Sequence, residues 1–481
     1  MKILFAAAEV APFSKVGGLA DVAGALPAEL AASGTGVQVV SPLYSFINQQ
    51  KHAIESIGIT GSVRLGLTSH PFEIAKCVNS QEPRLECLFV INEYFYSREG
   101  IYTRADGEGF EDNTDRFFFF QKVIVDLIIR GILNPDIIHV NDHHTALIQF
   151  LLHNRKIDIP TLLTVHNFQY QGHFTVAESG MLGPNDRAEL KANSAVDMEN
   201  YNALEIGIRY TQHTNTVSPT YASELLEQSP MSFGLHNVLL KYRERFSGIL
   251  NGADYTYWNP QVDQLIPFNY SHAAMTGKLE NKQALAKRCN LPFNSDIPII
   301  GSVSRLVESK GFDLILEIMG RLLSLPVQMI FLGTGQPEYQ EQLSKWARKY
   351  PDNISFTAAY DEPQAHLIEA GSDLFLMPSR FEPCGLNQIY SLRYGTAPIV
   401  HFTGGLADTV QNWDGNTGNG FVFDNYDSET LLATIHQAVN VYQNLPNQWN
   451  NLRENAMSAD YSWENSAAAY RKLYQQLLAK E

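Results

Sequence analysis

Cysteine is scarce and scattered: Cys77, Cys87, Cys289 and Cys384 are the four present, with no Cys-x-x-Cys spacing. That excludes a disulfide framework and points to a reducing, cytoplasmic setting. Basic residues are in deficit, 35 Lys and Arg against 51 Asp and Glu, a formal charge of −16. A field of that sign repels phosphate backbones and anionic bilayers, so neither nucleic acid nor a membrane is an expected partner. Long apolar runs are missing as well. The most apolar stretch, Phe117 to Leu133, is broken by Gln121, Lys122, Asp126 and Arg130, short of the ~20 residues a membrane helix needs. The opening run Ile3–Ala8 stops at Glu9, too soon for a signal peptide, and reads as a buried strand. GxGxxG is absent after either opening strand, and GxxxxGK[ST] is absent altogether. The two commonest nucleotide fingerprints are therefore missing, which speaks against an NAD-dependent oxidoreductase.

What remains is an ordinary globular composition, 44% hydrophobic and 18% charged over 481 residues, long enough for two to four domains. Short apolar runs recur at Ile3–Ala8, Gly36–Val40, Ile137–Val140, Thr161–Val165, Thr214–Val217, Pro298–Val303, Val327–Leu332, Ser372–Met377 and Ala397–Val400. Each is followed by turn residues and a helix-like pattern, the signature of parallel sheets covered on both faces. Such sheets bind ligands at the carboxyl ends of their strands. The series starts twice, at Met1 and again at Ile297, with an irregular connection around Leu250-Asn251-Gly252-Ala253-Asp254, Trp258 and Pro267. The expected fold is α/β, with two doubly wound Rossmann-like domains facing a central cleft. The expected spans are residues 1–245, residues 246–460, and a terminal segment 461–481. Within it, Ser462 to Lys480 carries Ala467, Tyr470, Leu473, Tyr474 and Leu477 at helical spacing, a helix to pack back on the first domain.

The candidate chemistry sits where strands end. Lys15-Val16-Gly17-Gly18-Leu19-Ala20-Asp21 follows the first strand. Its glycines admit a close ligand, the next helix offers free N–H groups, and Lys15 adds a charge aimed at an anion. Arg305 and Lys310 follow the first strand of the second half; a guanidinium and an ammonium on one crevice suit a diphosphate. Ser379-Arg380-Phe381-Glu382-Pro383-Cys384-Gly385-Leu386-Asn387 follows another strand, and Gly385 and Leu386 are expected to open a helix beside Glu382. A carboxylate there suits sugar hydroxyls, against the alternative of a helix-start residue favoured by the dipole. Cys384 reads as a packing residue, although a helix start can lower a thiol pKa. Thr403-Gly404-Gly405-Leu406-Ala407-Asp408 repeats the composition of the first loop, either for a ligand or for strand-to-helix geometry. Asn141-Asp142-His143-His144 and Thr164-Val165-His166-Asn167 follow two more runs. No metal is expected there, since Asn with Asp also suits sugar hydroxyls; His143 reads as structural, while His144 and His166 stand at strand ends. Tyr96 and Tyr360 are candidate platforms for a base, against ordinary packing.

Taken in order, these segments resemble the bacterial glycogen synthase and plant starch synthase family, retaining glucosyltransferases of the two-Rossmann-domain (GT-B) architecture. The Lys15–Val22 loop, Asp142-His143-His144, Val165-His166-Asn167, Leu250–Asp254, Ser304–Leu306 with Lys310-Gly311, Pro378–Leu386 and Thr403–Asp408 carry the likeness, and Tyr461-Ser462-Trp463 fits too. Two departures stand out. Many members read Asp-Trp-His where this chain has Asp142-His143-His144, so no sugar-stacking role carries over to position 143. Asn387 stands where Thr is common, a change expected to retune the phosphate end. The resemblance implies transfer of glucose from ADP-glucose to the non-reducing 4-hydroxyl of an α-1,4-glucan, glycogen or a starch primer, with retention. It implies that Arg305 and Lys310 hold the diphosphate and that the Cys384-Gly385-Leu386 segment meets its distal phosphate. Lys15, Gly18 and Asp21 would approach from the first domain. Glu382, Asp142, His144, His166 and Asn251 would surround the glucosyl ring and acceptor, and Tyr96 and Tyr360 the adenine. No cofactor is expected. With one obvious carboxylate, Glu382, a front-side displacement is favoured over the covalent route with two carboxylates. UDP-glucose as donor, a small acceptor, or a non-catalytic glucan-binding protein remain as alternatives; the joint presence of Lys15, Arg305, Lys310 and Glu382 speaks against the last.

Overall fold

The computed structural model describes residues 1–78, 82–104, 106–193 and 199–479. They divide into two compact units. The first comprises Met1–Val217, Ala222–Ile249 and the segment from Trp463 onward; the second comprises Ser218–Tyr221 and Leu250–Ser462.

The first unit carries β1 (Lys2–Ala6), β2 (Gly36–Pro42), β3 (Ile54–Leu65), β4 (Thr68–Cys77), β5 (Leu85–Ile91), β6 (Ile137–Asn141), β7 (Thr161–Val165), β8 (His173–Thr175), β9 (Asn200–Asn202), β10 (His213–Thr216) and β11 (Phe246–Gly248). Among the described residues nine of them form one sheet in the order β11-β10-β7-β6-β1-β2-β5-β4-β3. Pairing is parallel from β11 to β5, and the β3–β4 hairpin adds an antiparallel edge. Strand order reverses between β1 and β6, the switch point where doubly wound sheets hold ligands. Helix α1 (Gly18–Ala32) follows β1 and buries Leu19, Val22, Ala23, Leu26 and Leu30 on the sheet. The C-terminal helix Trp463–Leu478 packs beside it, burying Trp463, Ala467, Tyr470, Leu473, Tyr474 and Leu477 in the same cluster. Each fully buried aromatic or aliphatic side chain of this kind contributes about 1.5–3 kcal/mol. The Tyr474 hydroxyl and Thr164 Oγ1 meet the two ring nitrogens of buried His139, at 2.7 and 2.6 Å. Lys480, where the sequence places the end of this helix, lies outside the described residues.

The second unit holds β12 (Ile299–Val303), β13 (Gln328–Leu332), β14 (Ile354–Thr357), β15 (Leu374–Met377), β16 (Ala397–His401) and β17 (Phe421–Phe423). They form a wholly parallel sheet in the order β14-β13-β12-β15-β16-β17, with its switch point between β12 and β15. The helix Phe312–Leu322 shows the amphipathic spacing plainly: Phe312, Ile315, Ile318, Met319 and Leu322 face the sheet core. No helix among the described residues is long and apolar enough to cross a membrane.

Candidate active site

In the second unit, chain from the carboxyl ends of β12 and β15 converges. Gly311 has φ 77°, and a Cβ on it would stand 2.1 Å from the Pro378 carbonyl. Only glycine lets the segment after β12 lie so close to the segment after β15. The Arg380 amide donates to the Ser309 carbonyl at 2.9 Å and fixes that approach. The result is an ion pair: Lys310 Nζ donates to Glu382 Oε2 at 2.5 Å, and Ser379 Oγ donates to the same oxygen at 3.1 Å. Arg305 stands two residues beyond β12, exposed, with no ion pair among the described residues. One guanidinium is thus uncommitted, while one ammonium is neutralised by a buried carboxylate.

The Glu382 loop is seated by the second Gly-Gly pair. A Cβ on Gly404 would lie 2.0 Å from the Glu382 carbonyl, and one on Gly405 2.1 Å from the Cys384 carbonyl. The Gly405 amide donates to the Glu382 carbonyl at 3.1 Å. Close packing therefore accounts for these glycines. Gly385, at φ 72°, turns the chain into the short helix Asn387–Arg393, for which Leu386 is the N-cap position. Asn387 Nδ2 donates to the Val303 carbonyl at 2.7 Å and ties that helix to the end of β12. Cys384 is buried, and burial pushes its thiol up to about 12, so it packs rather than reacts; the Asn251 backbone N–H donates to its sulfur. Asn251 is itself buried, and its Oδ1 meets no partner among the described residues. Tyr360 is 82% exposed just before the helix Glu362–Gly371, a free ring face.

In the first unit the ends of β1, β6 and β7 are laced together. Asn141 Nδ2 donates to the Ala6 carbonyl at 3.1 Å, which turns Asn141 Oδ1 toward His166 Nε2 at 3.0 Å. His166 is then the neutral Nε2–H tautomer; burial pushes its pKa down to about 3. The His166 amide donates to Asp142 Oδ1 at 2.7 Å. Asp142 takes a left-handed backbone, φ 55°, a strained conformation for a residue at a strand end. Burial raises its carboxyl to about 7, with the charge of Glu9 adding and the His166 and Asn167 amides opposing. His144 is buried, stacked on Tyr102 at 4.8 Å and edge-on to Phe117 at 4.4 Å, and His143 covers Gly172. Its ring is core, which limits any direct ligand contact by His144. Lys15 Nζ pairs with Asp21 Oδ1 at 2.6 Å, and Gly18, the first residue of α1, faces open space.

One candidate is corrected. Tyr96 is 1% exposed, packed among Phe95, Phe119 and Tyr44, and its hydroxyl donates to the Arg116 carbonyl at 3.3 Å. No ring face is left for a base; it belongs to the core around the buried Arg116 guanidinium, which donates to the Phe95 and Ile101 carbonyls. Sequence reasoning gave no role to Glu9 or Tyr102, and quoted Ser379 and Asn141 within their motifs without the supporting contacts they make to Glu382 and His166. Their signal was position alone: all but Tyr102 stand at or just beyond the carboxyl end of a strand. Among the described residues no group of three or more His, Cys, Asp or Glu is placed to hold a metal ion.

Two doubly wound units, with charged and amide-bearing loops gathered at their strand carboxyl ends, define a glycosyltransferase of the GT-B class. Residues 2–241 match the starch synthase catalytic domain and residues 285–457 the glycosyl transferases group 1. The chain belongs to the glycogen and starch synthase family. It is 39% identical over 490 residues to glycogen synthase of Streptococcus pneumoniae (strain JJA), covering 99% of this chain and 100% of that one. It is 40% identical over 489 residues to glycogen synthase of Anaeromyxobacter sp. (strain Fw109-5), covering 100% of both. The catalytic domain of Starch Synthase IV from Arabidopsis thaliana, solved bound to ADP and acarbose, superposes with a TM-score of 0.90 at 31% identity over 99% of each chain. Sucrose-phosphate synthase from Thermosynechococcus elongatus, at 16% identity and a TM-score of 0.59, shares the fold.

Proposed function

We propose that this chain transfers glucose from ADP-glucose to the non-reducing 4-hydroxyl of an α-1,4-glucan, with retention at the anomeric carbon. The observation that carries the reading is the gathering of Arg305, Lys310 and Glu382 at the ends of β12 and β15, in a family whose members include glycogen synthases. Cleavage of the glycosyl–phosphate bond puts negative charge on the departing diphosphate and positive charge on the sugar ring. Arg305 and Lys310 stabilise the former, more in the transition state than in the ground state. The amides of the Cys384-Gly385-Leu386 segment meet the distal phosphate; in the first unit, Lys15 and Gly18 offer a donor phosphate a charge and a free amide. Glu382 faces the charge on the ring, and its ion pair with Lys310 holds it in position. The leaving phosphate takes the proton of the acceptor hydroxyl in a front-side displacement. Asp142, His166 and Asn251 orient the sugar and acceptor; Tyr360 offers the adenine a ring face. The first unit is assigned the acceptor and the second the sugar nucleotide, in a cytoplasmic enzyme.

The test is a radiolabel assay with ADP-glucose and UDP-glucose side by side, with and without glycogen, and with EDTA. Glucan-dependent incorporation from ADP-glucose that survives chelation is expected. Incorporation from UDP-glucose alone, or none that depends on glucan, would overturn the assignment.

A further inference from the structure

Glu9 closes the first apolar run and is 2% exposed. Its Oε2 accepts the amides of Val16, at 2.5 Å, and Gly17, at 3.2 Å, and the Tyr102 hydroxyl also bonds its carboxylate. Helix α1 has Gly17 at its N-cap and no side-chain cap of its own. Glu9 supplies the acceptor there, where the helix dipole favours an anion. Further ties close the loop: the Val10 amide to the Ser14 carbonyl, the Ala11 amide to the Ala20 carbonyl, and Lys15 to Asp21.

A loop that offers amides to a phosphate thus has two of them already taken by a carboxylate. The Val16 and Gly17 amides face inward, and Gly18, in open space, is the next amide along the start of α1. The arrangement decides which amide the loop presents. It also depends on a proton. The groups facing Glu9 are Tyr102, Asp21, Asp142 and Tyr44. Burial, with Asp21 adding to it, lifts the carboxyl to about 7 against the two amides and the Tyr102 hydroxyl. A neutral carboxylic acid accepts amides less strongly than the carboxylate does.

We propose that Glu9 is a positioning residue for the donor end of this loop: its carboxylate holds the Val16 and Gly17 amides so that Gly18 is presented, and the loop loosens when Glu9 takes up a proton. The inference rests on the reading of Lys15 and Gly18 as donor-phosphate contacts.

Amide hydrogen exchange and steady-state kinetics, each from pH 5.5 to 9, test it on the full chain with wild type and Glu9→Gln. In the wild type, protection factors at Val16 and Gly17 should fall as pH drops through about 7. In Glu9→Gln they should be low and flat across the range. The variant should lose up to about 10²-fold in kcat/KM for ADP-glucose, with the KM for glycogen unchanged, and at pH 8 should behave as the wild type does at low pH. Wild-type protection independent of pH, or a variant with a lowered melting temperature but an unaltered pH profile, would overturn the proposal. A wild type without glucan-dependent turnover whose loop still responds to pH would fell the donor reading alone.

Discussion

Lys310 Nζ and Glu382 Oε2 stand 2.5 Å apart, brought together from the ends of two neighbouring parallel strands. Each therefore sets the other's electrostatics, and removing one strands the other. Lys310→Met should cut turnover by about 10²–10³. It should also cost about 1.5–3 kcal/mol, the range for a lost hydrogen bond to a charged group. Adding Glu382→Gln should restore much of the stability and none of the activity. Urea denaturation and initial rates for the two singles and the double check this; additive stability losses would refute the coupling.

Arg305 gives the opposite pattern. It is exposed and unpaired among the described residues, so Arg305→Ala should change stability by less than about 0.5 kcal/mol. The same substitution should lower turnover by about 10²–10³. Near-normal glucan-dependent incorporation would remove Arg305 from the diphosphate site.

The two tyrosines separate cleanly. Tyr96→Phe should cost about 0.5–1.5 kcal/mol through its lost bond to the Arg116 carbonyl and leave the KM for ADP-glucose alone. Tyr360→Ala, at an 82% exposed position, should raise that KM and leave the melting temperature alone. A donor KM that follows Tyr96 instead would restore it to the site.

Glu369 provides a pH test in the second unit. Burial raises its carboxyl to about 8, while Ser391 and the nearby Lys278 oppose the rise. A carboxyl raised above its unfolded value of 4.5 gives stability that is complete below that pH and is lost as pH climbs toward 8. Glu369→Gln should therefore gain on the wild type by up to about 1.4 kcal/mol per pH unit across that window. Parallel stability curves would show that Glu369 ionises alike in the folded and unfolded chain, and would overturn the raised value.

The nine runs all became parallel strands, and all but Thr214–Val217 did so because burial on both faces writes a near-continuous apolar signal into the residues. β3 and β4 left no such mark: Ile54–Leu65 reads Ile-Glu-Ser-Ile-Gly-Ile-Thr-Gly-Ser-Val-Arg-Leu, an edge strand with much of its surface in water. β10, His-Thr-Asn-Thr, is buried yet polar, its side chains satisfied by Tyr470 and the Val165 carbonyl. Among the candidate residues, the closeness of Lys310 and Glu382 was legible because each follows an apolar run, and the two runs became neighbouring parallel strands. Tyr96 was misread because an aromatic flanked by Ser97, Arg98 and Glu99 looks exposed, whereas the chain folds it beneath Arg116. Glu9 was passed over because its partners, Val16, Gly17 and Tyr102, become neighbours only once the loop closes.

The helix Trp463–Leu478 completes the core of the unit that the first half of the chain begins. During synthesis residues 250–462 must leave the ribosome before it can dock, roughly 10–40 s at ordinary elongation speeds. For that time the apolar stripe of α1 that Tyr470 and Tyr474 later cover stays bare, so the first unit should wait for the second to be made, sheltered by chaperones rather than finished in order of translation.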